Sequence, residues 1–159
     1  MIRLASQQDV PVILQLVTEL AVYEKEPDAV LATEADLLTA LFGPDPSAGC
    51  HVAVVDGAVV GFALWYRTFS TWQGKPGLWL EDLFVRPEAR GTGLGRQLLV
   101  ELARTAVDRG WTRFEWWVLD WNTPAQGFYR SLGARPEDEW TVWRVDGAAL
   151  TSLAARPLA

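Results

Sequence analysis

A glycine-rich turn joins a strand pattern to a helix pattern near the middle of this 159-residue chain. The segment from Leu80 to Leu99 reads LEDLFVRPEARGTGLGRQLL, in which spaced apolar residues lead to Pro87 and then to Arg90-Gly91-Thr92-Gly93-Leu94-Gly95. Glycines at the start of a helix leave its first N–H groups uncovered by side chains, and the helix dipole adds positive potential there. The segment therefore predicts a site for a phosphate or pyrophosphate group. From the residues alone, a glycine-rich turn without a ligand stays the alternative.

Two common nucleotide-binding loops do not fit the residues around this turn. A Walker loop ends in Gly-Lys-Ser or Gly-Lys-Thr, whereas Gly95 is followed by Arg96 and Gln97. The dinucleotide fingerprint requires glycine at its first, third and sixth positions, and the sixth position counted from Gly91 is Arg96. The predicted anion site thus belongs to neither class.

Length and composition favour one soluble domain spanning residues 1–159. A chain of this length with 50% hydrophobic residues suffices for one packed core. No stretch resembles a signal peptide or a membrane span, which predicts a cytoplasmic protein that does not bind membranes. The formal net charge of −6 argues against a nucleic-acid partner. One histidine and one cysteine predict no metal site.

Apolar periodicity and turn residues predict alternating strands and helices. Strands are expected at 1–5, 51–55, 59–69, 77–86, 113–119 and 141–145, and helices from Ser6, from Thr33, at 93–110, at 123–132 and within 148–153. The pair Asp56-Gly57 predicts a tight hairpin turn. The apolar face of the first helix is predicted to contain Val10, Ile13, Leu14, Val17 and Leu20, and that of the helix after the glycine turn Leu94, Leu98, Leu99, Leu102, Ala106 and Val107.

A second informative segment, 120–134, reads DWNTPAQGFYRSLGA. Asn122 stands where a side-chain oxygen would cap the helix beginning at Thr123-Pro124. Phe128 and Leu132 are four residues apart, so both should face the core, and Tyr129 lies roughly 100° away, where it would border a cleft. From spacing alone, a Tyr129 hydroxyl that simply lies in water is an equal alternative.

Together these segments resemble the GNAT superfamily of N-acetyltransferases, and within it the diamine (spermidine/spermine) acetyltransferase group. The similar stretches are ELAVYEKEPDAVLATEADLL, GFALWYRTFSTWQGKPGLWLEDLFV, RGTGLG, WNTPAQGFYRSLGA and EDEWTVWRVD. The resemblance implies an α+β fold, a mixed α/β sandwich with a mostly antiparallel, twisted sheet that is flanked by helices and splayed where acetyl-CoA binds. It also implies direct transfer of an acetyl group from acetyl-CoA to a primary amine of a small molecule, such as a polyamine or a lysine-like amino acid.

The resemblance assigns most of the predicted site to binding of acetyl-CoA. Backbone groups of Leu83, Phe84 and Val85 would hold the pantetheine arm as an added strand. The pyrophosphate would be held by amides of the turn together with Arg96; these amides belong to Arg90, Gly91, Thr92, Gly93, Leu94 and Gly95. Asn122 would contact the cofactor arm, Arg130 would lie near the adenosine phosphates, and Tyr129 would protonate the departing thiolate. For Arg90 and Arg96, an ordinary solvated charge is the alternative.

The acceptor amine requires a proton acceptor, because an aliphatic amine has a pKa near ~10.4 and is protonated at neutral pH. The resemblance assigns this role to Glu81, with Asp82 in amine recognition and Tyr23, Glu24 and Trp72 along the amine channel. Neighbours on a strand point to opposite faces, so at most one of Glu81 and Asp82 is expected in a shared cleft. A solvated charge at a helix end is the alternative for Glu24.

The remaining expectations concern Cys50, the oligomeric state and competing functions. Cys50 beside His51 is expected to be a buried structural cysteine, because neighbouring strand residues point apart. The resemblance and the tryptophan-rich C-terminal half imply a homodimer, in which Asp138 and Trp140 would be shared between active sites. The competing functions are a non-catalytic module that binds acyl-CoA and an acetyltransferase for a protein or peptide amine.

Overall fold

In the computed structural model, which describes residues 1–157, an open five-stranded sheet forms the centre of the first of two units, Met1–Trp117. Its strands lie side by side in chain order: β1 (Ile2–Leu4), β2 (Gly49–Val55), β3 (Ala58–Ser70), β4 (Lys75–Val85) and β5 (Phe114–Trp116). Neighbouring strands are antiparallel except β4 and β5, which are parallel. The predicted mostly antiparallel sheet is confirmed.

Three helices of this unit pack on the sheet: α1 (Val10–Tyr23), α2 (Glu34–Phe42) and α3 (Leu94–Asp108). The apolar side chains of α1 and α2 form one core cluster with alternate residues of the strands. Its members are Val10, Ile13, Leu16, Leu20, Leu37, Leu41, Cys50, Val52, Phe62 and Phe84. The predicted face of α1 was nearly right, but Leu16 is buried where Leu14 and Val17 are half-buried.

Local sequence signals account for the ends of these elements. Asp56 and Gly57 both have positive φ, 49° and 81°, as the two-residue hairpin turn requires. Thr33 caps α2 through its side-chain oxygen, which accepts from the Asp36 amide. Asp9 accepts from the Ser6 amide and forms a two-point ion pair with Arg3, and these bonds hold its pKa well below the usual range. The predicted hairpin and caps are confirmed.

Two expectations for the first unit were wrong in detail. The strand predicted at 113–119 is limited to Phe114–Trp116, where it pairs with Leu78–Leu80 of β4. Val107 was predicted to be buried, but its side chain is 73% exposed. It lies about 100° from Ala106 in the last turn of α3, beyond the edge of the buried face.

The second unit, Val118–Ala159, contains α4 (Thr123–Ser131) and α5 (Gly147–Ala154) within its described residues. The strand predicted at 141–145 was wrong, because these residues form neither a strand nor a helix. A strand is stabilised by hydrogen bonds to a neighbour, and no strand of the described chain pairs with this segment. The helical turn predicted within 148–153 is confirmed as part of α5.

Candidate active site

The glycine turn has the backbone geometry of an anion site. Gly91 and Gly93 have φ of 76° and 85°, a conformation that side chains disfavour, and Gly93 caps α3. A Cβ added at Gly91 would meet nothing within 4 Å, so it would project into the space that the turn leaves open. The Thr92 hydroxyl donates to the Ala89 carbonyl and fixes the turn, and buried Leu94 anchors the helix start. The first amides of α3 have no helical acceptors, as at any helix start, which suits them to bind an anion.

The two arginines of the turn differ in their surroundings. Arg96 lies exposed in the first turn of α3, where its charge adds to the positive potential. The Arg90 amide instead donates to the Pro87 carbonyl over 3.2 Å, and its guanidinium donates to the Val85 carbonyl over 2.8 Å. Arg90 therefore already has acceptors for both its backbone and its side chain.

The end of β4 offers a backbone edge beside this turn. Pairing between β4 and β5 ends at Leu80, whereas β4 continues to Val85. On the other side, Leu83, Phe84 and Val85 pair with Ala63, Phe62 and Gly61 of β3. An extended ligand could thus pair with β4 on the side away from β3, as an added strand does.

A β-bulge changes the geometry of the predicted acidic pair. Leu64 pairs with Asp82 and Trp65 with Leu80, so Glu81 is an extra residue in β4. The prediction that neighbouring residues 81 and 82 face opposite sides assumes strict alternation along the strand, and the bulge interrupts that alternation at Glu81. Burial raises the pKa of Asp82 to about 6, and the charges of Glu81 and Glu24 contribute to the rise. The charges of Glu81 and Glu24 thus both act on Asp82.

The C-terminal end of α1 lies near this acidic group. Tyr23 is the last residue of α1, and Glu24 caps the helix end. Burial raises the pKa of Glu24, so this carboxyl group is not the fully solvated charge of the alternative interpretation. The guanidinium of Arg90 lies over the Tyr23 ring, 5.0 Å from its centroid. Tyr23 is thereby connected to the glycine turn.

Trp72 is not brought together with these residues. It lies in the turn between β3 and β4, and its side chain is 88% exposed. Asp82 pairs with Leu64, eight residues before Trp72 along the hairpin, which corresponds to a separation of roughly 20 Å. Its predicted place along the amine channel is therefore not supported by the geometry within one chain.

Tyr66 is a further candidate residue of the acidic part of the site, and the sequence analysis did not identify it. Burial raises the pKa of its phenol, and the Glu81 charge adds to that effect. Its ring lies near Trp79, with centroids 6.3 Å apart. Only the pairing of β3 with β4 brings Tyr66 close to Glu81, so no signal in the sequence identifies it.

Cys50 and His51 do not form a nucleophilic pair. Cys50 is buried in the core, and burial raises the pKa of its thiol to about 12. His51 is also buried, and its Nδ1 accepts a hydrogen bond from the Trp65 indole over 3.1 Å. A thiol with so high a pKa forms little thiolate at neutral pH, and the expected structural role of Cys50 is confirmed.

In the second unit, α4 carries the other predicted residues. Asn122 is buried, and its side chain accepts from the Ala125 amide over 3.4 Å, which confirms the predicted cap. Tyr129 is half-buried, with its ring 5.5 Å from that of Phe128, and Arg130 is exposed. Phe128 was predicted to face the core, yet no residue of α4 is fully buried.

Two further properties of residues 1–157 bear on function. Their His, Cys, Asp and Glu side chains include no group of three or more that could hold a metal ion. None of their helices combines the length and the apolar character needed to cross a membrane.

Comparison with known proteins now decides the family. The profile of the Acetyltransferase (GNAT) family matches residues 14–134, which include the glycine turn, the end of β4 and Tyr129. The chain belongs to this family. It is an acyltransferase, and the resemblance inferred from its motifs is confirmed.

Curated relatives cover nearly the whole chain. A thialysine N-epsilon-acetyltransferase from Bos taurus is 39% identical over 167 residues and is aligned over 98% of both proteins. An L-ornithine N5-acetyltransferase, NATA1, from Arabidopsis thaliana is 30% identical, over 96% of this chain and 86% of the relative.

Solved structures support the same fold. An integron cassette protein from the mobile metagenome of V. cholerae superposes with a TM-score of 0.82 at 29% identity, over 98% of each chain. An aminoglycoside acetyltransferase from an uncultured soil sample has a TM-score of 0.77 over 92% of this chain and 95% of that one. At 18% identity the latter likeness concerns the fold alone.

Proposed function

We propose that this GNAT protein transfers the acetyl group of acetyl-CoA to a primary amine of a small molecule, a diamine, a polyamine or a lysine-like amino acid. The observation that carries the proposal is the bulge that places Glu81 next to half-buried Asp82 near the open end of β4, where burial and the charges of Glu81 and Glu24 raise the pKa of Asp82. Carboxylates attract an ammonium group, and family membership supplies the acetyl transfer. The relatives named for thialysine and ornithine act on amines of this size class, which supports the proposal.

The turn and the end of β4 fit acetyl-CoA as the acyl donor. Amides of Gly91, Thr92, Gly93, Leu94 and Gly95, with Arg96, would hold the pyrophosphate, since the positive-φ glycines leave their N–H groups uncovered. Backbone groups of residues 83–85 would pair with the pantetheine arm. Bound there, the donor supplies a thioester whose acyl carbon a neutral amine can attack.

The acidic residues would prepare the amine for that attack. Asp82 and Glu24 bind the ammonium form, and Glu81 takes its proton directly or through a water. Tyr23 offers an aromatic face to the same cation. Transfer is direct, because the nearest thiol, that of Cys50, is buried and protonated.

Residues of α4 would complete the reaction. Tyr129 gives its phenolic proton to the sulfur that leaves, Asn122 contacts the cofactor arm, and Arg130 lies near the adenosine phosphates. These roles are supported by the match of the family profile across this segment and by the confirmed helix.

Replacement of Tyr129 by Phe tests this mechanism. Loss of the general acid should lower kcat by about 10²- to 10⁴-fold, with the Kd of acetyl-CoA unchanged within about twofold. Release of free CoA would be measured with diamines, polyamines, lysine analogues, aminoglycosides and a lysine-containing peptide. Ser131→Ala on the same helix is the matched control and should keep full activity.

Two results would contradict the proposal. Tight binding of acetyl-CoA without turnover on any of these amines would favour the non-catalytic binding module. Turnover on the peptide alone would favour a protein or peptide acceptor.

We further propose a homodimer in the cytoplasm, with Asp138 and Trp140 shared between active sites. The support is the segment 140–146, whose Trp140, Val142, Trp143 and Val145 are all exposed. Exposed apolar residues gathered in one short segment are suited to contact with a second copy of the chain.

A further inference from the structure

Arg90 folds back against the sheet rather than extending along the glycine turn. Its Nε donates to the Val85 carbonyl over 2.8 Å. The centre of the guanidinium lies 5.0 Å from the Tyr23 ring centroid and 5.4 Å from that of Phe84. These distances are within the range of cation–π contacts. One side chain thus touches β4 and the end of α1 at the same time.

The Val85 carbonyl that Arg90 contacts lies on the open edge of β4. The Arg86 amide donates to the Val60 carbonyl of β3 over 2.9 Å. In a trans peptide plane the C=O and the following N–H point in opposite directions, so the Val85 carbonyl points away from β3. Arg90 therefore occupies an acceptor on the side of β4 that we assign to the pantetheine arm.

Tyr23 connects the same guanidinium to the amine side. It precedes Glu24, whose charge acts on Asp82. Tyr23 and Glu24 are adjacent at the end of α1, so the contact of Arg90 with the Tyr23 ring lies next to the residue that carries the Glu24 carboxylate.

We infer that Arg90 is a positioning residue that couples the donor edge to amine recognition through Tyr23. This inference rests on the proposed function. The planar guanidinium donates to Val85 through one edge and lies over Tyr23 with its centre, which a lysine ammonium cannot reproduce. An arginine that only neutralised phosphate would change the affinity for CoA, and replacing Tyr23 would not alter the size of that change.

A double-mutant cycle between Arg90 and Tyr23 tests the inference. Arg90→Gln should raise the KM of the best amine about three- to tenfold at saturating acetyl-CoA, with a smaller change in kcat. In a Tyr23→Leu background the same substitution should add less than about twofold. Tyr23→Phe keeps the aromatic face, so the effect of Arg90→Gln should be retained there. Arg96→Gln is the matched control, because it should weaken CoA binding equally whether residue 23 is Tyr or Leu.

Equal effects of Arg90→Gln on the amine KM in both backgrounds would overturn the inference, as would an effect on the Kd of CoA alone. The four proteins of the Arg90–Tyr23 cycle (the unchanged protein, Arg90→Gln, Tyr23→Leu and the double variant) would be unfolded in urea without substrate, which tests the contact independently of activity. Additive free energies of unfolding would also overturn the inference. The effects of the two substitutions on the free energy of unfolding could be non-additive in a protein that acetylates none of the amines. That result would refute the proposed function and leave the Arg90–Tyr23 contact established.

Discussion

The proposed role of Asp82 in binding the amine carries a cost in stability. Its carboxyl group is half-buried next to two other acids, which raises its pKa to about 6, against about 3.9 in an unfolded chain. Folding therefore favours the protonated form, and the contribution of Asp82 to stability is lost as the pH rises from about 4 to about 6. Binding of an ammonium group requires the charged form that folding disfavours.

Substitution Asp82→Asn should separate these two effects. The midpoint of thermal unfolding should exceed that of the unchanged protein by about 2–4 °C, with the gap growing between pH 4 and pH 6 and constant above. At pH 7.5 the amine KM of Asp82→Asn should be about tenfold or more above that of the unchanged protein. Below pH 6, where Asp82 of the unchanged protein becomes protonated, the two KM values should converge. Thermal scans and initial rates across pH 5–8 measure both quantities. Asp56→Asn in the hairpin turn is the control, and a similar KM profile in both variants would contradict the argument.

Among the strands and helices, the helix caps and the hairpin turn could be predicted from the sequence, whereas the exact register of β3 against β4 could not. The caps at Thr33 and Asn122 and the turn at Asp56-Gly57 depend on residues within four positions of one another, so their prediction succeeded. The bulge at Glu81 depends on the register of β3 against β4, which no local pattern specifies. The same holds for the contact of Arg90 with Tyr23, whose residues are far apart in sequence. The caps and turns around the candidate site were therefore predictable, and the relation among its charged residues was not.

Gly61 makes the close approach of β3 to the end of β4 possible. A Cβ at this position would lie 2.7 Å from the Phe84 carbonyl oxygen and 3.2 Å from the Val85 Cα. Both are backbone atoms, so relief of the clash must displace β4. Gly61→Ala should lower the free energy of unfolding by about 1–3 kcal/mol. It should also weaken acetyl-CoA binding severalfold, because the displaced atoms form the proposed donor edge.

Urea unfolding and calorimetric titration with acetyl-CoA measure these two effects. Gly127→Ala is the matched control, because an added Cβ there meets nothing within 4 Å in the interior of α4. Alanine in place of glycine at such a helical position should raise stability by about 0.5–1 kcal/mol. If Gly61→Ala left the affinity for acetyl-CoA unchanged, residues 84 and 85 would have no part in binding the donor.

At the scale of the whole molecule, the segment after α4 is distinguished by its exposed apolar residues. Trp143 is 91% exposed, and Trp140, Val142 and Val145 are exposed with it. Residues 141–145 form no strand of the described sheet, although the sequence predicted one there. Because exposed apolar residues gathered in one segment mark interaction sites, they support the proposed pairing with a second copy of the chain.

Sedimentation equilibrium at micromolar concentration should therefore give twice the mass of one chain, and Trp143→Asp should shift the population toward monomer. Buried interface aromatics commonly contribute 2 kcal/mol or more, which corresponds to about a thirtyfold rise in the dimer Kd. Leu31→Asp is the control, since Leu31 is 88% exposed in a loop of the first unit and should leave the mass unchanged. A monomer at all concentrations, or equal dissociation by both substitutions, would reject the dimer. If the dimer forms and Trp143→Asp also lowers turnover with the Kd of acetyl-CoA unchanged, the partner supplies part of the amine site, as proposed for Asp138 and Trp140.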